Sequence, residues 1–331
     1  MRITTSMMSS KYIKNLNKSF YEMNKLSEKV ETGRKFVKGS EDPVSAIKAY
    51  KLRREYRTTE IYDTNIKDVE SFLTAAETNL TEISNNLELV YTSYLKGING
   101  TMNAEDREII AKQLENLQSS ILTSLNANFE DRYVFGGTSK EEIPFTLDSS
   151  GNLLFKGLDV NDPDNKDALD NLVNETINID LGLGMTFDDD GVLNTDTVFD
   201  MSMSGIKFMG FGETADGIPK NLYNLIGEIK EKLVSDNFSM DEITPYIDEF
   251  EKQKAQVLVH ITDIGAKTNY LDFLMIRNED NQFNLNKKIL GVEFEDPAEA
   301  IVNFKMQEYS YNAALSMGNR ILQNSFIDFM K

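Results

Sequence analysis

Hydrophobic residues between positions 62 and 94 recur at alternating spacings of four and three. The stripe comprises Tyr62, Ile66, Val69, Leu73, Ala76, Leu80, Ile83, Leu87, Val90 and Tyr94. This period is typical of one face of an α-helix. Capping side chains and a proline in Ser40-Glu41-Asp42-Pro43 favour a start near Pro43, and glycines favour an end near Gly97 or Gly100. The pattern predicts about 55 helical residues, a rod about 80 Å long.

Shorter stripes predict further helices on both sides of the chain's centre. After a turn at 99–103, a second helix carries Ile110, Leu114, Leu117, Ile121 and Leu125. Its short connection predicts an antiparallel neighbour of the first helix. A third stripe contains Leu222, Ile226, Ile229 and Leu233, and a long helix is predicted from about Asp241 to Leu285. A link around 291–297 then leads to the C-terminal segment.

Two narrow heptad stripes lie near the ends of the chain. The N-terminal stripe contains Ile13, Leu16, Phe20, Met23 and Val30, with Ser27 as its polar interruption. The C-terminal stripe contains Ile301, Phe304, Tyr311, Leu315, Leu322 and Phe329. A heptad seam buries nothing until another helix lies against it. We therefore expect the seams to pair with each other, with neighbouring copies or with both, and their narrowness favours contacts between subunits.

The middle of the chain loses helical periodicity. Residues 132–135 form a short β-type run that stops at Gly136-Gly137, a pair suited to a positive-φ bend. Short apolar pieces at 153–155 and 177–181, and a turn at 188–191, predict strands. The expected fold class is mainly α with a β-rich insert. We predict terminal coiled-coil segments at 1–42 and 297–331, a helical bundle at 43–135 and 221–296, and a projecting β-rich outer domain at 136–220.

Composition and charge exclude several classes of protein. The 331 residues contain no cysteine, which excludes disulfides and thiolate chemistry, and they carry a net charge of −19, which disfavours nucleic acid. Residues 1–60 are basic, with 14 Lys/Arg against 7 Asp/Glu, and residues 146–220 are acidic, with 15 Asp/Glu against 4 Lys. The longest apolar run is four residues, so we expect no membrane insertion. The N-terminus resembles no cleaved secretory signal.

Few residues suggest chemistry. The single histidine, His260, stands without a second histidine or a cysteine, so we interpret it as an ordinary helical residue. Asp159 to Asp164 resembles the start of a calcium loop but has Asp164 where glycine is required, and Asp170 stands where glutamate is expected. Gly182-Leu183-Gly184 lacks the third glycine of a phosphate-binding loop. We predict no catalytic residue, cofactor or metal site, and no enzymatic activity.

Several blocks, in order along the chain, resemble the flagellar hook-associated protein 3 family, which is related to flagellin. They are Met1-Arg2-Ile3-Thr4-Thr5-Ser6-Met7-Met8, Thr32-Gly33-Arg34-Lys35, Ser40-Glu41-Asp42-Pro43, Arg132-Tyr133-Val134-Phe135-Gly136-Gly137 with Pro144-Phe145, Ile264-Gly265-Ala266 and Ser325-Phe326-Ile327-Asp328-Phe329. The likeness covers both helical arms, about two-thirds of the chain. Glu41 stands where the family more often has aspartate. Residues 146–220 carry no recognised motif.

The resemblance implies a structural subunit at the junction between hook and filament. It implies terminal segments that are poorly ordered in the free monomer and become paired helices on assembly, with partners that include further copies, the first hook-associated protein and flagellin. It also implies flagellar export without a cleaved signal, a chaperone on the C-terminal region and an extracellular location. The alternatives are flagellin itself, a coiled-coil adhesin or signalling rod, and an enzyme with a site in the β-rich insert.

Overall fold

The computed structural model describes residues 5–98, 103–139, 142–235 and 239–327. The helices are Thr5–Thr32 (α1), Pro43–Gly97 (α2), Ala104–Leu125 (α3), Lys166–Val173 (α4), Ile206–Met209 (α5), Leu222–Val234 (α6), Met240–Glu293 (α7) and Pro297–Ile327 (α8). The strands are Asn128–Phe129 (β1), Arg132–Tyr133 (β2), Phe145–Leu147 (β3), Leu153–Phe155 (β4), Leu158–Asp159 (β5), Asn178–Ile179 (β6) and Phe199–Asp200 (β7). The predicted fold class, mainly α with a β-rich insert, is confirmed.

Helix α2 matches its prediction in both length and burial. It has 55 residues and begins at Pro43. Every stripe residue from Ile66 to Tyr94 is 0% exposed, and only Tyr62 at the start is half-buried. Asp42 caps its start, because its Oδ1 accepts a hydrogen bond from the N–H of Ser45 at 3.1 Å. Hydrogen bonds with the side chain and with the N–H of Ser45 lower the pKa of the Asp42 carboxyl.

The chain divides into two compact units. Unit 1 contains residues 1–60 and 279–331, and unit 2 contains residues 61–278. The division into terminal segments, bundle and outer domain that the sequence suggests stays a prediction.

Unit 2 has a continuous hydrophobic core built around the stripe of α2. Helix α3 is the expected antiparallel neighbour, since the Asn86 amide donates to the Ser120 hydroxyl at 3.0 Å. Helix α6 runs antiparallel to α3, with Gln118 donating to the carbonyl of Tyr223 at 2.9 Å. The rings of Tyr94 and Phe250 meet edge to face at 5.1 Å, which joins α7 to the same core.

Helix α7 is longer than the sequence predicts. The expected end near Leu285 is wrong, because the helix continues to Glu293. Ile289 and Glu293 are buried on its last two turns, and this burial offsets the low helix propensity of Gly291. The apolar stripe is interrupted there, because one of the two buried side chains is the carboxylate of Glu293.

The insert contains short antiparallel strands together with the helices α4 and α5, all of them in unit 2. Strand β1 pairs with β2, β4 lies between β3 and β5, and β6 pairs with β7. Phe145 lies opposite Phe155, and both side chains are buried. Gly137 has the predicted positive φ of 62°. The turn at 188–191 is also confirmed, because the Asp188 carboxylate accepts the N–H groups of Asp190 and Val192 and Gly191 has a φ of 78°.

No helix among the described residues is long and apolar enough to cross a membrane.

Candidate assembly surface

Helices α1 and α8 of unit 1 lie antiparallel and in contact within one chain. The hydroxyl of Tyr12 donates to the carbonyl oxygen of Ala314 at 2.9 Å. The Gln307 amide donates to the carbonyl and hydroxyl oxygens of Ser19 at 3.2 and 3.0 Å. Of the pairings that the sequence left open, the structure therefore contains the one within the chain.

The predicted seam residues meet but are not enclosed. The rings of Phe20 and Tyr311 lie 5.7 Å apart, yet Phe20 remains 46% exposed. The half-buried members are Leu16, Met23, Phe304 and Tyr311, and the exposed members are Ile13, Phe20, Val30, Ile301 and Leu315. Leu322 belongs to α8, but its side chain is outside the described part, and Phe329 lies outside the described residues. Within the described part, no predicted seam residue is fully buried.

The outer faces of the two helices carry further apolar side chains. The exposed set is Met7, Met8, Tyr21, Val302, Met306, Tyr309 and Met317. Soluble monomers rarely expose large contiguous apolar patches without a binding role. We call the exposed seam residues the open face. The methionine and aromatic side chains of the outer faces are likewise suited to packing against another helix.

Sequence reasoning missed the closest approach between the two helices. A Cβ at Gly318 would overlap the ring of Tyr12, so the absence of a side chain at 318 allows this contact. Gly318 is buried, although the helix ends nine positions later at Ile327. A heptad analysis counts apolar positions and overlooks a glycine. The signal that could have found it is a glycine inside an otherwise helical pattern.

The link between α7 and α8 is fixed by a compact set of bonds within unit 1. The N–H of Lys35 donates to the carbonyl of Glu293 at 2.7 Å, and the N–H of Glu295 donates to the carbonyl of Gly33 at 3.0 Å. The guanidinium of Arg53 donates two hydrogen bonds to the buried carboxylate of Glu293, at 2.6 and 2.5 Å. This hydrogen bonding raises the pKa of Arg53, so its guanidinium stays charged at neutral pH.

The turn before α2 is stabilised by Ser40-Glu41-Asp42-Pro43, one of the blocks that carry the family resemblance. The carboxylate of Glu41 accepts a hydrogen bond from the N–H of Val37 at 3.0 Å. This bond is the main reason that the pKa of Glu41 is lowered. Glutamate at this position therefore stabilises the turn that precedes α2.

The other residues that sequence analysis considered lie in unit 2. His260 is half-buried on α7, with its ring 6.2 Å from that of Phe208. Burial lowers its pKa, and the nearby Lys207 acts in the same direction. In the loop resembling a calcium site, Asp159 and Asp162 accept backbone N–H groups at 2.9 Å. The described ranges contain no cluster of three or more His, Asp or Glu residues arranged for a metal ion.

The sequence of the chain has recognisable relatives. Residues 3–140 match the family described as the bacterial flagellin N-terminal helical region. Flagellar hook-associated protein 3 of Salmonella typhimurium is 25% identical over 152 residues, which cover 46% of this chain and 48% of that protein. The protein of the same name from Escherichia coli is 25% identical over 147 residues, covering 44% and 46%. The resemblance to the hook-associated protein 3 family is confirmed.

The chain spans about half the length of the hook-associated protein 3 relatives that it matches. Solved structures share its fold over a longer stretch. A protein of Vibrio parahaemolyticus, provisionally assigned as a flagellar hook-associated protein, has 24% identity and a TM-score of 0.61, covering 76% of this chain and 99% of that one. FlgL of Bacillus cereus has 15% identity and a TM-score of 0.52, covering 72% and 99%. At these identities the likeness establishes the fold.

Proposed function

We propose that this chain is a structural subunit of the bacterial flagellum that forms the junction between hook and filament. It assembles by packing the open face of α1 and α8 against the same helices of neighbouring copies. The residues that make these contacts are the predicted seam residues, of which Ile13 and Ile301 are the most accessible among the described members. Both curated relatives are named for association with the flagellar hook.

One observation carries the proposal. The seam residues are paired inside the chain, yet half or more of the described members remain exposed together with methionines and aromatic residues on the same helices. Burial of apolar surface is worth about 25 cal/mol per Å², so this face gains free energy when neighbouring helices cover it. A finished coiled coil would have covered these residues already.

The rest of the function follows from this role. The partners are further copies of the chain, the first hook-associated protein on one side and flagellin on the other. An export chaperone covers the C-terminal region before assembly, since an exposed apolar face promotes aggregation. The subunit leaves the cell through the flagellar export apparatus without a cleaved signal, acts outside the cell, and has a structural role without catalysis.

A charge on the open face tests the proposal. Leu315→Asp places a carboxylate on an exposed side of α8, so the subunit should fold with unchanged helical content. Burying that charge between subunits is costly, so incorporation should be lost. In a strain lacking the wild-type chain, motility and filament growth should fail. Asn312→Asp adds the same charge to an exposed polar position one turn earlier and should restore both.

If Leu315→Asp supports normal filament growth, the open face is not the assembly contact. Flagellin is the competing function, because the matched family model describes a flagellin region. Immunogold labelling separates the two: label confined to the base of the filament supports the junction role, and label along the whole filament contradicts it.

A further inference from the structure

The first turns of α2, within unit 1, carry an exposed apolar face that the open face does not include. Val44 is 78%, Ile47 60% and Tyr50 70% exposed. At 100° per residue these three positions occupy one third of the helix circumference. The opposite side of the helix is the packed one, because Ala49 is buried there and Arg53, one turn later, forms an ion pair. The apolar side chains therefore point away from the contacts of α2 in unit 1.

Cationic side chains lie among and beside these apolar residues. All four are exposed, and no carboxylate of the described residues lies within 4.0 Å of any of them: Lys48, Lys51, Arg54 and Arg57. Glu55 places one carboxylate on the same side of the helix. We call these four cations, with the three apolar residues, the basic face. It combines apolar contact area with an excess of positive charge.

Residues 185–196 of the insert, in unit 2, form an exposed hairpin that we call the acidic hairpin. Phe187 forms an antiparallel bridge with Leu193. The N–H of Asp188 donates to the carbonyl of Val192 at 2.9 Å, which closes the turn. Met185, Phe187 and Val192 are 45%, 58% and 61% exposed. The hydrogen-bonded turn thus holds apolar side chains at the surface.

The acidic hairpin carries only negative charge. It contains no lysine or arginine, and its carboxylates are those of Asp188, Asp189, Asp190 and Asp196. Asp188 is occupied by the turn, since its carboxylate accepts two backbone N–H groups. Asp189 and Asp190 are exposed, and in the described part of the chain no cationic side chain lies within 4.0 Å of either. Two carboxylates at the turn are therefore available to a partner.

We propose that the basic face of one copy of the chain binds the acidic hairpin of a second copy. The exposed apolar side chains of the hairpin cover those of the face. Asp189 and Asp190 form ion pairs with Lys51 and Arg54. The contact joins two different surfaces, so it links copies head to tail. It is separate from the open face and does not depend on the flagellar role.

The two surfaces match in both of the properties that determine docking. Exposed ion pairs contribute only about 0 to 1 kcal/mol each. The apolar side chains at the centre therefore supply the affinity, and the charges fix the orientation and speed the encounter. A helix with apolar and basic residues on one side can also bind an anionic lipid surface. The presence of the complementary hairpin on the same chain favours a second copy as the occupant.

Disulfide trapping tests the contact, because the chain contains no cysteine of its own. Ile47→Cys and Val192→Cys place one thiol on each surface and leave every charge in place. The two full-length variants are mixed and oxidised, and the disulfide between residues 47 and 192 is identified by peptide mass spectrometry. A pair on two different variants reports only contacts between copies. We expect a yield at least about fivefold above that of Thr81→Cys mixed with Val192→Cys, since residue 81 is exposed but outside the basic face.

Charge reversal tests the specificity of the contact. Lys51→Glu with Arg54→Glu, added to the Ile47→Cys variant, should lower the yield at least about fivefold. Asp189→Lys with Asp190→Lys, added to the Val192→Cys variant, should restore the yield with the reversed face. Sodium chloride at about 0.5 M should lower the wild-type yield, because it screens exposed charges.

A matched control reverses two charges elsewhere in unit 1. Lys287→Glu with Lys288→Glu makes the same change in net charge at exposed positions of α7 and should leave the yield unchanged. Leu315→Asp, which blocks the open face, should also leave it unchanged. Failure of the assembly proposal and failure of this contact are therefore distinguishable.

Two results overturn the proposal. One is a yield no higher than that of the Thr81→Cys pair, and the other is a reversed face that the reversed hairpin does not rescue. Cosedimentation with vesicles of phosphatidylcholine and phosphatidylglycerol decides on the lipid alternative. Vesicle binding that Lys51→Glu with Arg54→Glu abolishes, without a disulfide between copies, assigns the basic face to anionic lipid and contradicts the proposal.

Discussion

The stripe of α2 in unit 2 and the seams of α1 and α8 in unit 1 share one sequence period but differ in burial. The stripe from Ile66 to Tyr94 is fully buried by helices of the same chain. The seams contact each other, yet Ile13, Phe20 and Leu315 stay exposed. Periodicity alone therefore does not distinguish a closed core from an open face.

The difference arises from the number of helices that cover each stripe. The stripe of α2 packs in one core with α3, α6 and α7, so each residue is enclosed from several sides. In unit 1, α1 and α8 contact each other as a pair, and a pair of helices can enclose only a narrow line between them. The width of a stripe and the number of helices that pack against it, more than the regularity of its spacing, decide whether its residues are buried within the chain.

The largest effect should come from a charge in the closed core. Leu80→Asp buries a carboxylate at a position that is 0% exposed and should destabilise unit 2 by about 4 kcal/mol or more, because no partner compensates the charge. The thermal transition of unit 2, followed by circular dichroism, should be lost or strongly lowered. Thr81→Asp adds the same charge at the exposed neighbouring position and should melt like the wild type. A wild-type transition in Leu80→Asp would show that the stripe is misplaced.

A smaller effect is expected where α1 and α8 approach each other. Gly318→Ala places a methyl group against the ring of Tyr12 and should weaken the helix pair by about 1 to 3 kcal/mol. Limited proteolysis of α1 and α8 should become faster while the transition of unit 2 is unchanged. Gly291→Ala, where a Cβ meets nothing, should stabilise α7 by about 0.5 to 1 kcal/mol. If Gly318→Ala and Gly291→Ala resist proteolysis of α1 and α8 equally well, the close approach of the two helices at Gly318 is refuted.

The hydroxyl groups of Tyr94, in the core of unit 2, and of Tyr12, between α1 and α8, test the difference between the two regions with a single atom each. The Tyr94 hydroxyl is buried and has no hydrogen-bond partner among the described residues, so Tyr94→Phe should stabilise unit 2 or leave it unchanged, by up to about 1 kcal/mol. The Tyr12 hydroxyl donates to Ala314, so Tyr12→Phe should weaken the pair by about 0.5 to 1.5 kcal/mol. Denaturant unfolding measures the change in the free energy of unfolding that each substitution causes. A decrease of similar size in both variants would contradict the environments assigned to the two hydroxyls.

The smallest effect concerns the single histidine. Burial lowers the pKa of His260 in the folded chain below its ordinary value near 6.5, so the unfolded chain binds the proton more readily. The free energy of unfolding of unit 2 should therefore fall as the pH drops through about 6.5, and level off below the folded-state pKa. NMR titration of the imidazole gives the pKa directly. His260→Gln should remove this part of the pH dependence, and a folded-state pKa above 6.5 would reverse the sign.

Much of the fold could be predicted from the sequence, because strong periodicity records helices that are closed within the chain. The bounds of α2 and the burial from Ile66 to Tyr94 follow from spacing and from the cap at Asp42. The end of α7 at Glu293 could not be predicted from spacing, because an ion pair between Glu293 and Arg53 holds its last turns and no apolar stripe does. Contacts between residues far apart in sequence leave no local signal.

The candidate surface was predicted only in part. The seam residues were identified, but their exposure depends on which helices cover them, and no spacing records that. Polar residues and glycine do not contribute to a heptad count, so the contacts between the two helices that involve Tyr12, Ser19, Gln307 and Gly318 were missed.

Hydrogen exchange of the purified subunit, compared with the assembled form, tests the central claim that α1 and α8 are completed by neighbouring copies. Our account predicts fast amide exchange in both helices of the free subunit, against strong protection from residue 62 to 94, and marked protection of α1 and α8 after assembly. If both helices in the free subunit are already as protected as residues 62 to 94, and assembly adds nothing, the account is contradicted.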